Sequence, residues 1–239
     1  MDNVVDVSRF PLPAQAQEAQ AKRRIGLGVT GLADALIFCG LRYGSDAAAA
    51  RAGRWLEAIQ HAAYRASVAL AEEKGAFPLL DRESYLEGEV IRALPRDIRD
   101  GIARHGIRNA LLTSIAPTGT ISLLAGNVSS GIEPVFALSY TRRVLQPDGT
   151  RREETVEDHA VAEWRRLKGD APLPEQFVTA QDLSPGEHVA MQAEAQKHVD
   201  SSISKTINCP ANISFEEFED VYLRAYERSE ERRVGKECP

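Results

Sequence analysis

Apolar residues recur every three or four positions through residues 46–74, with Ala52, Trp55, Ile59, Ala62, Ala66 and Leu70 on one stripe. That period is helical. Ser45 or Asp46 offers a start signal, and Gly75 with Phe77-Pro78 a stop, so one long helix is predicted there. The same reading predicts helices over 14–22, 32–39, 95–105, 153–168 and 185–199, and a last one from 215. The final two open at Ser184-Pro185-Gly186-Glu187 and Ser214-Phe215-Glu216-Glu217. Each pairs a serine cap with a glutamate three residues on, the pattern of a capping box. Asp2-Asn3-Val4-Val5-Asp6-Val7 reads as the last turns of a helix, stopped by Pro11 and Pro13. Short apolar runs at 25–29, 110–115, 135–145 and 203–207 predict strands, the third closed by a Pro147-Asp148-Gly149 turn. Strands alternating with helices over the whole length predict an α/β layer or barrel in one piece.

Charge and composition narrow the function. Lys and Arg number 29 against 35 Asp and Glu, a net charge of −6 over 239 residues. An acidic chain lacks the basic face that nucleic-acid phosphates require, so no nucleic-acid partner is expected. The longest uncharged stretch, 109–132, is broken by Pro117 and three glycines, so no membrane span is expected. Three cysteines exclude a disulfide scaffold and predict a reducing, cytoplasmic setting. Cys39 is expected to be a small buried hydrophobe and Cys209 to lie at a strand end. The five histidines show no metal-ligand spacing. Residues 228–239 abandon the apolar spacing of the helix before them and resemble a translated sequencing adapter. They are expected to be non-native, with Cys238 carrying no chemistry; a solvated charged tail is the alternative.

Two segments are candidates for phosphate binding. Gly26-Leu27-Gly28-Val29-Thr30-Gly31 matches G-x-G-x-x-G, the spacing of a dinucleotide-binding turn. However, no buried strand precedes it, and Asp46, where the ribose acid would fall, reads as a helix cap. A tight, closely packed turn is the favoured reading, with a nicotinamide-dependent dehydrogenase as the alternative. The second segment is Ala116, Pro117, Thr118, Gly119, Thr120 and Ile121, between a predicted strand and an apolar helix. The first amides of a helix lack internal partners and suit an anion. Gly119 permits close approach, and Thr118, Thr120 and Ser122 bring hydroxyls. A well-capped buried helix fits this pattern equally well. Glu133, the first charge after Arg108, is expected to face a ligand or to pair with Arg142 or Arg143. Ser204, Lys205 and Asn208 are expected to line a cavity.

Several of these segments together resemble ribonucleotide reductase, in its adenosylcobalamin-dependent class II form. The resemblance is carried by residues 2–7 with Phe10-Pro11, 25–34, Arg108-Asn109-Ala110, 116–122, 129–137 and 204–210. It covers 1–227 and implies the C-terminal part of a ten-stranded α/β barrel, a partial catalytic domain. It implies a nucleotide substrate whose phosphates sit at 116–121, adenosylcobalamin as cofactor, a thioredoxin-like reductant, and a fold compatible with a homodimer. Cobalamin homolysis would lead to a cysteine thiyl that abstracts a ribose hydrogen, and a cysteine pair would reduce the 2′ position. The Asn-Pro-Cys-Gly-Glu loop that carries the radical cysteine is missing from this sequence, as is the Cys-x-x-Cys tail. Neither Cys39 nor Cys209 takes those roles. The chain is therefore expected to need the remainder of its own polypeptide and to be inactive alone. A class I large subunit and a non-catalytic phosphate-binding module are the other readings.

Overall fold

The computed structural model describes residues 1–209 and 212–227. Pro210 and the tail 228–239 with Cys238 lie outside the described residues. The chain forms two compact units, one from residues 1–28, 54–115 and 198–202, the other from 29–53, 116–197 and the chain from 203 on.

The first unit is helical. It contains α1 (Asp2–Val7), α2 (Pro13–Lys22), most of α4 (Asp46–Lys74), α5 (Arg82–Glu87), α6 (Glu89–Ala93) and α7 (Arg96–His105). Its core joins Tyr64, Phe77, Ile91, Leu94, Ile98, Ile102, Ile107 and Leu112. Each such large side chain contributes about 1.5–3 kcal/mol on burial. α7 packs closely on α4 because Gly101 leaves room for Val68; a Cβ there would stand 2.9 Å from the valine Cγ1. α1 is held by charge. Arg23, 3% exposed, donates to Asp2 Oδ1 at 2.8 Å and to Asp6 Oδ1 at 2.7 Å. Arg108 and Asn109 complete the shell around Asp2. Burial pushes the Asp2 carboxyl up, but hydrogen bonds from Arg23, Arg108 and Asn109 bring it below its ordinary value.

The two strands predicted for this unit shrink to a single parallel bridge between Leu27 and Thr113. The bonds that remain run from the Ile25 amide to the Leu111 carbonyl and from the Leu27 amide to the Leu112 carbonyl, at 3.0 and 2.8 Å, and from the Ser114 amide back to the Leu27 carbonyl at 2.9 Å. The ladder stops because a side chain takes its donors. Asp200 Oδ2 accepts the Leu112 and Thr113 amides at 2.9 and 3.0 Å, and Asp200 Oδ1 accepts from the Tyr64 hydroxyl at 2.8 Å.

The second unit contains α3 (Leu32–Phe38), the first turns of α4, α8 (Gly119–Leu124), β1 (Ser139–Leu145), β2 (Arg151–Glu157), α9 (His159–Lys168), α10 (Pro185–Gln196) and α11 (Phe215–Ala225). Both predicted capping boxes form, at Ser184 with Glu187 and at Ser214 with Glu217. β1 and β2 make an antiparallel hairpin with Ser139 opposite Glu157 and Leu145 opposite Arg151. This corrects the expectation of a helix over 153–168, since only His159–Lys168 is helical. Charges of opposite sign face each other across the pair, Arg142 with Glu154 and Arg143 with Glu153, which favours the sheet. Asp148 closes the turn by accepting from the Thr150 amide and hydroxyl.

Two other strand expectations change. Of 135–145 only Ser139–Leu145 is strand, and Val135 makes an isolated parallel bridge to Thr179. Segment 203–207 is not a strand. Its backbone groups are held by side chains: Gln196 accepts from the Ile203 amide and Gln192 donates to the Ile203 carbonyl. Cys39 is exposed, not buried, because it is the C-terminal cap of α3 and not part of its inner face. Among the described residues, no helix is long and apolar enough to cross a membrane.

Candidate functional site

The loop 116–118 leads into α8, a helix of six residues. Thr118 holds a left-handed backbone with φ of 49°, which a β-branched residue rarely adopts. Its side chain explains how. Thr118 Oγ1 accepts the Gly131 amide at 2.8 Å and lies 3.1 Å from both Thr30 Oγ1 and Ser122 Oγ. Ser122 Oγ lies 2.7 Å from Thr30 Oγ1, and the Thr30 hydroxyl donates to the Ser129 carbonyl at 2.9 Å. The hydroxyls of Thr118 and Ser122 therefore turn inward, which corrects the expectation that they reach a ligand. Thr120 is exposed.

The backbone faces outward. Among the described residues, no group accepts the amides of Gly119, Thr120 and Ile121. A Cβ placed on Gly119 would meet no atom within 4 Å. Ala116, Pro117 and Ile121 are exposed beside it.

Gly119 and Ser122 open on a cavity of about 560 Å³ that Glu133, Phe136, Thr206 and Asn208 also line. The structure thus brings together three of the residues singled out in the sequence, Gly119, Glu133 and Asn208. Ser204 is exposed and stands off this lining. The Lys205 side chain is 1% exposed, buried against the carboxylate of Glu133 rather than displayed in the cavity. Glu133 pairs with Lys205 and not with Arg142 or Arg143, because the hairpin commits Arg143 to Glu153 at 2.9 Å and sets Arg142 opposite Glu154.

Lys205 also donates to His188 Nδ1 at 3.3 Å and to the Thr206 carbonyl at 3.1 Å. His188 Nε2 lies 3.2 Å from the Ala180 carbonyl. A carbonyl only accepts, so Nε2 carries the proton and Nδ1 receives the lysine. Burial and the lysine charge both lower the His188 pKa, which keeps the ring neutral. Burial also lowers the Lys205 pKa, and Glu133 opposes that shift. Glu133 accepts the Thr206 amide as well, so this cluster fixes the Thr206 peptide at both its N–H and its C=O.

A buried acid, Asp158, also reaches the cavity. Asp158 caps α9 by accepting the Ala160 and Val161 amides, and Asp34 accepts the same Ala160 amide at 3.2 Å. Burial first, and the Asp34 charge second, raise Asp158 from 3.8 to about 7. Sequence reading missed Thr30, Asp34, Asp158 and His188. Only Asp158, directly before the helical pattern of 159–168, carried a local cap signal.

The G-x-G-x-x-G segment is a packed turn, as favoured from its context. A Cβ on Gly28 would overlap the Ser114 carbonyl oxygen, and Gly31 caps α3 with φ of 77°.

Residues 1–229 match the family model of the ribonucleotide reductase barrel domain. The chain belongs to the ribonucleotide reductase family. The α/β barrel class expected from the sequence is the class of that domain, and family membership sets aside the dehydrogenase alternative. The chain is similar to the vitamin B12-dependent ribonucleoside-diphosphate reductase of Mycobacterium tuberculosis (strain CDC 1551 / Oshkosh), 38% identical over 95% of this chain and 33% of that protein. It is 34% identical to the protein of the same name from Thermoplasma acidophilum, over 94% of this chain and 29% of the relative. The ribonucleoside-diphosphate reductase subunit alpha of Treponema pallidum is 28% identical over 95% of the chain. This ribonucleotide reductase chain spans about a third of the length of the curated relatives it matches.

Proposed function

We propose that this chain supplies the substrate-phosphate site of an enzyme that reduces ribonucleoside diphosphates to deoxyribonucleotides for DNA synthesis. The observation that carries the reading is the set of three amides at Gly119, Thr120 and Ile121 that no described group accepts, with Gly119 itself lining a cavity of about 560 Å³. That volume suits a small ligand of nucleotide size. Hydrogen bonds to a charged oxygen contribute about 1.5–3 kcal/mol each, and the open face of Gly119 lets the oxygens come close. In this reading residues 116–121 seat the phosphates, and Glu133 with Thr206 and Asn208 forms the opposite wall.

The chemistry at the sugar belongs to parts of the whole enzyme that this sequence does not supply. Adenosylcobalamin, named through vitamin B12 for the Mycobacterium and Thermoplasma relatives, would provide the radical that starts the reaction. A thioredoxin-like dithiol would restore the reducing cysteines, in a cytoplasmic enzyme compatible with a homodimer.

Calorimetric titration of the 239-residue protein with ADP and with adenosine tests the site. Tighter binding of ADP is expected. Gly119→Val, whose Cβ meets no atom within 4 Å, should fill the approach and remove the preference for ADP while leaving the fold intact by circular dichroism. Equal affinity of wild type for ADP and adenosine would refute the phosphate reading. With adenosylcobalamin and a dithiol the protein alone is expected to form no deoxynucleotide, and detectable product would overturn the division of labour.

A further inference from the structure

The phosphate loop carries a left-handed residue, Thr118, whose side chain is held locally by Ser122 and the Gly131 amide. A third partner comes from a residue 88 positions away. Thr30 Oγ1 sits at the centre of a hydroxyl cluster with Thr118 at 3.1 Å, Ser122 at 2.7 Å and the Ser129 carbonyl at 2.9 Å. Proton counting orders this cluster. The Ser129 carbonyl only accepts, and of the two hydroxyls in reach, Thr30 at 2.9 Å and Ser122 at 3.4 Å, the nearer Thr30 donates to it. Thr30 then accepts from Ser122, and Thr118, which already accepts the Gly131 amide, gives its proton to Thr30 or Ser122. Each of the three hydroxyls donates inward. The loop 116–121 is thereby tied to 129–131, and its three outward amides are held in one direction.

We infer that Thr30 is a positioning residue for the phosphate loop: its hydroxyl sets the left-handed turn at Thr118 and so the aim of the Gly119–Ile121 amides. This rests on the phosphate reading above. Thr30 touches no ligand in this arrangement and acts only through Thr118 and Ser122. Valine has the same shape as threonine without the hydroxyl, so Thr30→Val removes the partner 2.7 Å from Ser122 and 3.1 Å from Thr118 and leaves Ser122 the longer contact to the Ser129 carbonyl. Serine keeps the hydroxyl and is the conservative rescue.

The test is calorimetric titration of the full 239-residue chain, as wild type, Thr30→Val and Thr30→Ser, with ADP and with adenosine. Urea unfolding of each variant is measured alongside. Thr30→Val is expected to weaken ADP binding about tenfold, to leave adenosine binding unchanged, and to be largely reversed in Thr30→Ser. Wild type that prefers ADP, with Thr30→Val binding ADP equally well, would overturn the inference while leaving the phosphate site standing. Equal loss of ADP and adenosine, in step with a lower unfolding midpoint, would also overturn it, because the hydroxyl would then serve stability alone. Wild type without preference for ADP refutes the phosphate reading itself, and the inference with it. If Thr30→Val does not fold, Thr30→Ser decides: ADP affinity close to wild type supports the role of the hydroxyl, and a tenfold loss despite the retained hydroxyl overturns it.

Discussion

Asp158 makes the stability of this protein depend on pH in an unusual direction. Its carboxyl is 3% exposed, caps α9, and shares the Ala160 amide with the carboxylate of Asp34. Burial and that neighbour raise it from 3.8 to about 7. An acid whose pKa is raised on folding binds its proton more tightly in the folded chain. Between pH 4 and 7 the folded state therefore holds more protons, and stability falls as pH rises through this window. Each pH unit between the two values contributes about 1.4 kcal/mol, which sets a ceiling of about 4 kcal/mol on the loss by pH 8. Relaxation and water entry reduce this, and about 2 kcal/mol is expected. Asp158→Asn isolates the effect. Asparagine is as good a helix cap as aspartate, still accepts the Ala160 and Val161 amides, and can donate to Asp34. The variant should be about 2 kcal/mol more stable than wild type at pH 8 and should lose most of that advantage at pH 5. Urea unfolding followed by far-ultraviolet circular dichroism at pH 5, 6, 7 and 8 measures both. Parallel pH profiles for variant and wild type would refute the reasoning; the difference between them isolates Asp158 from His188, whose lowered value acts in the opposite sense. Below pH 4 the sign reverses, because Asp2 and Asp6 have lowered values and lose their arginine partners on protonation.

Two further predictions concern the other unit. Asp200→Ala leaves the Leu112 and Thr113 amides without their acceptor and takes one partner from the Tyr64 hydroxyl. At about 1–3 kcal/mol for each buried group left unpaired, a loss of at least about 3 kcal/mol is expected in urea unfolding, with Asp200→Asn intermediate. Arg23→Met leaves Asp2, which is 5% exposed, with Arg108 and Asn109 alone, and the loss of a charged hydrogen bond should cost about 1.5–3 kcal/mol. The double variant Arg23→Met with Asp2→Leu removes both charges and should regain part of that, measured as a non-additive term in the same assay.

What the sequence showed plainly was local. The stripe from Ala52 to Leu70 became α4, and the boxes at Ser184 and Ser214 formed with both of their reciprocal bonds. These signals lie within four residues of each other, so a reader of sequence sees both ends at once. The hairpin was lost because Arg151, Arg152, Glu153 and Glu154 are as compatible with a solvated helix face as with a charge-paired strand. Only the register against Arg142 and Arg143 separates the two. The strands around Leu27 and Thr113 were overestimated for a similar reason. Their apolar run is real, yet Asp200, 87 residues away, takes an amide that a ladder would need. The cluster behind the cavity was hidden for the same cause, since nothing near Lys205 in sequence announces Glu133, 72 residues earlier.

The two glycine-bearing loops show what separates a phosphate site from a packed turn. Gly26 to Gly31 has the more familiar spacing, but its backbone is already used. The Leu27 amide is bonded to the Leu112 carbonyl and the Gly31 amide to the Ser129 carbonyl at 2.7 Å. The space beside Gly28 is filled by the Ser114 carbonyl. A glycine there is required by protein, so no anion can enter. At Gly119 to Ile121 the amides have no acceptor among the described residues and the space beside Gly119 is open. A buried or clustered donor without a partner costs about as much as a lost hydrogen bond, so a fold keeps three together only where water or a ligand satisfies them. Free donors in an open approach, rather than glycine spacing, are therefore what the proposed phosphate loop rests on. The threonine of the rejected motif, Thr30, still serves that loop from behind through Thr118 and Ser122.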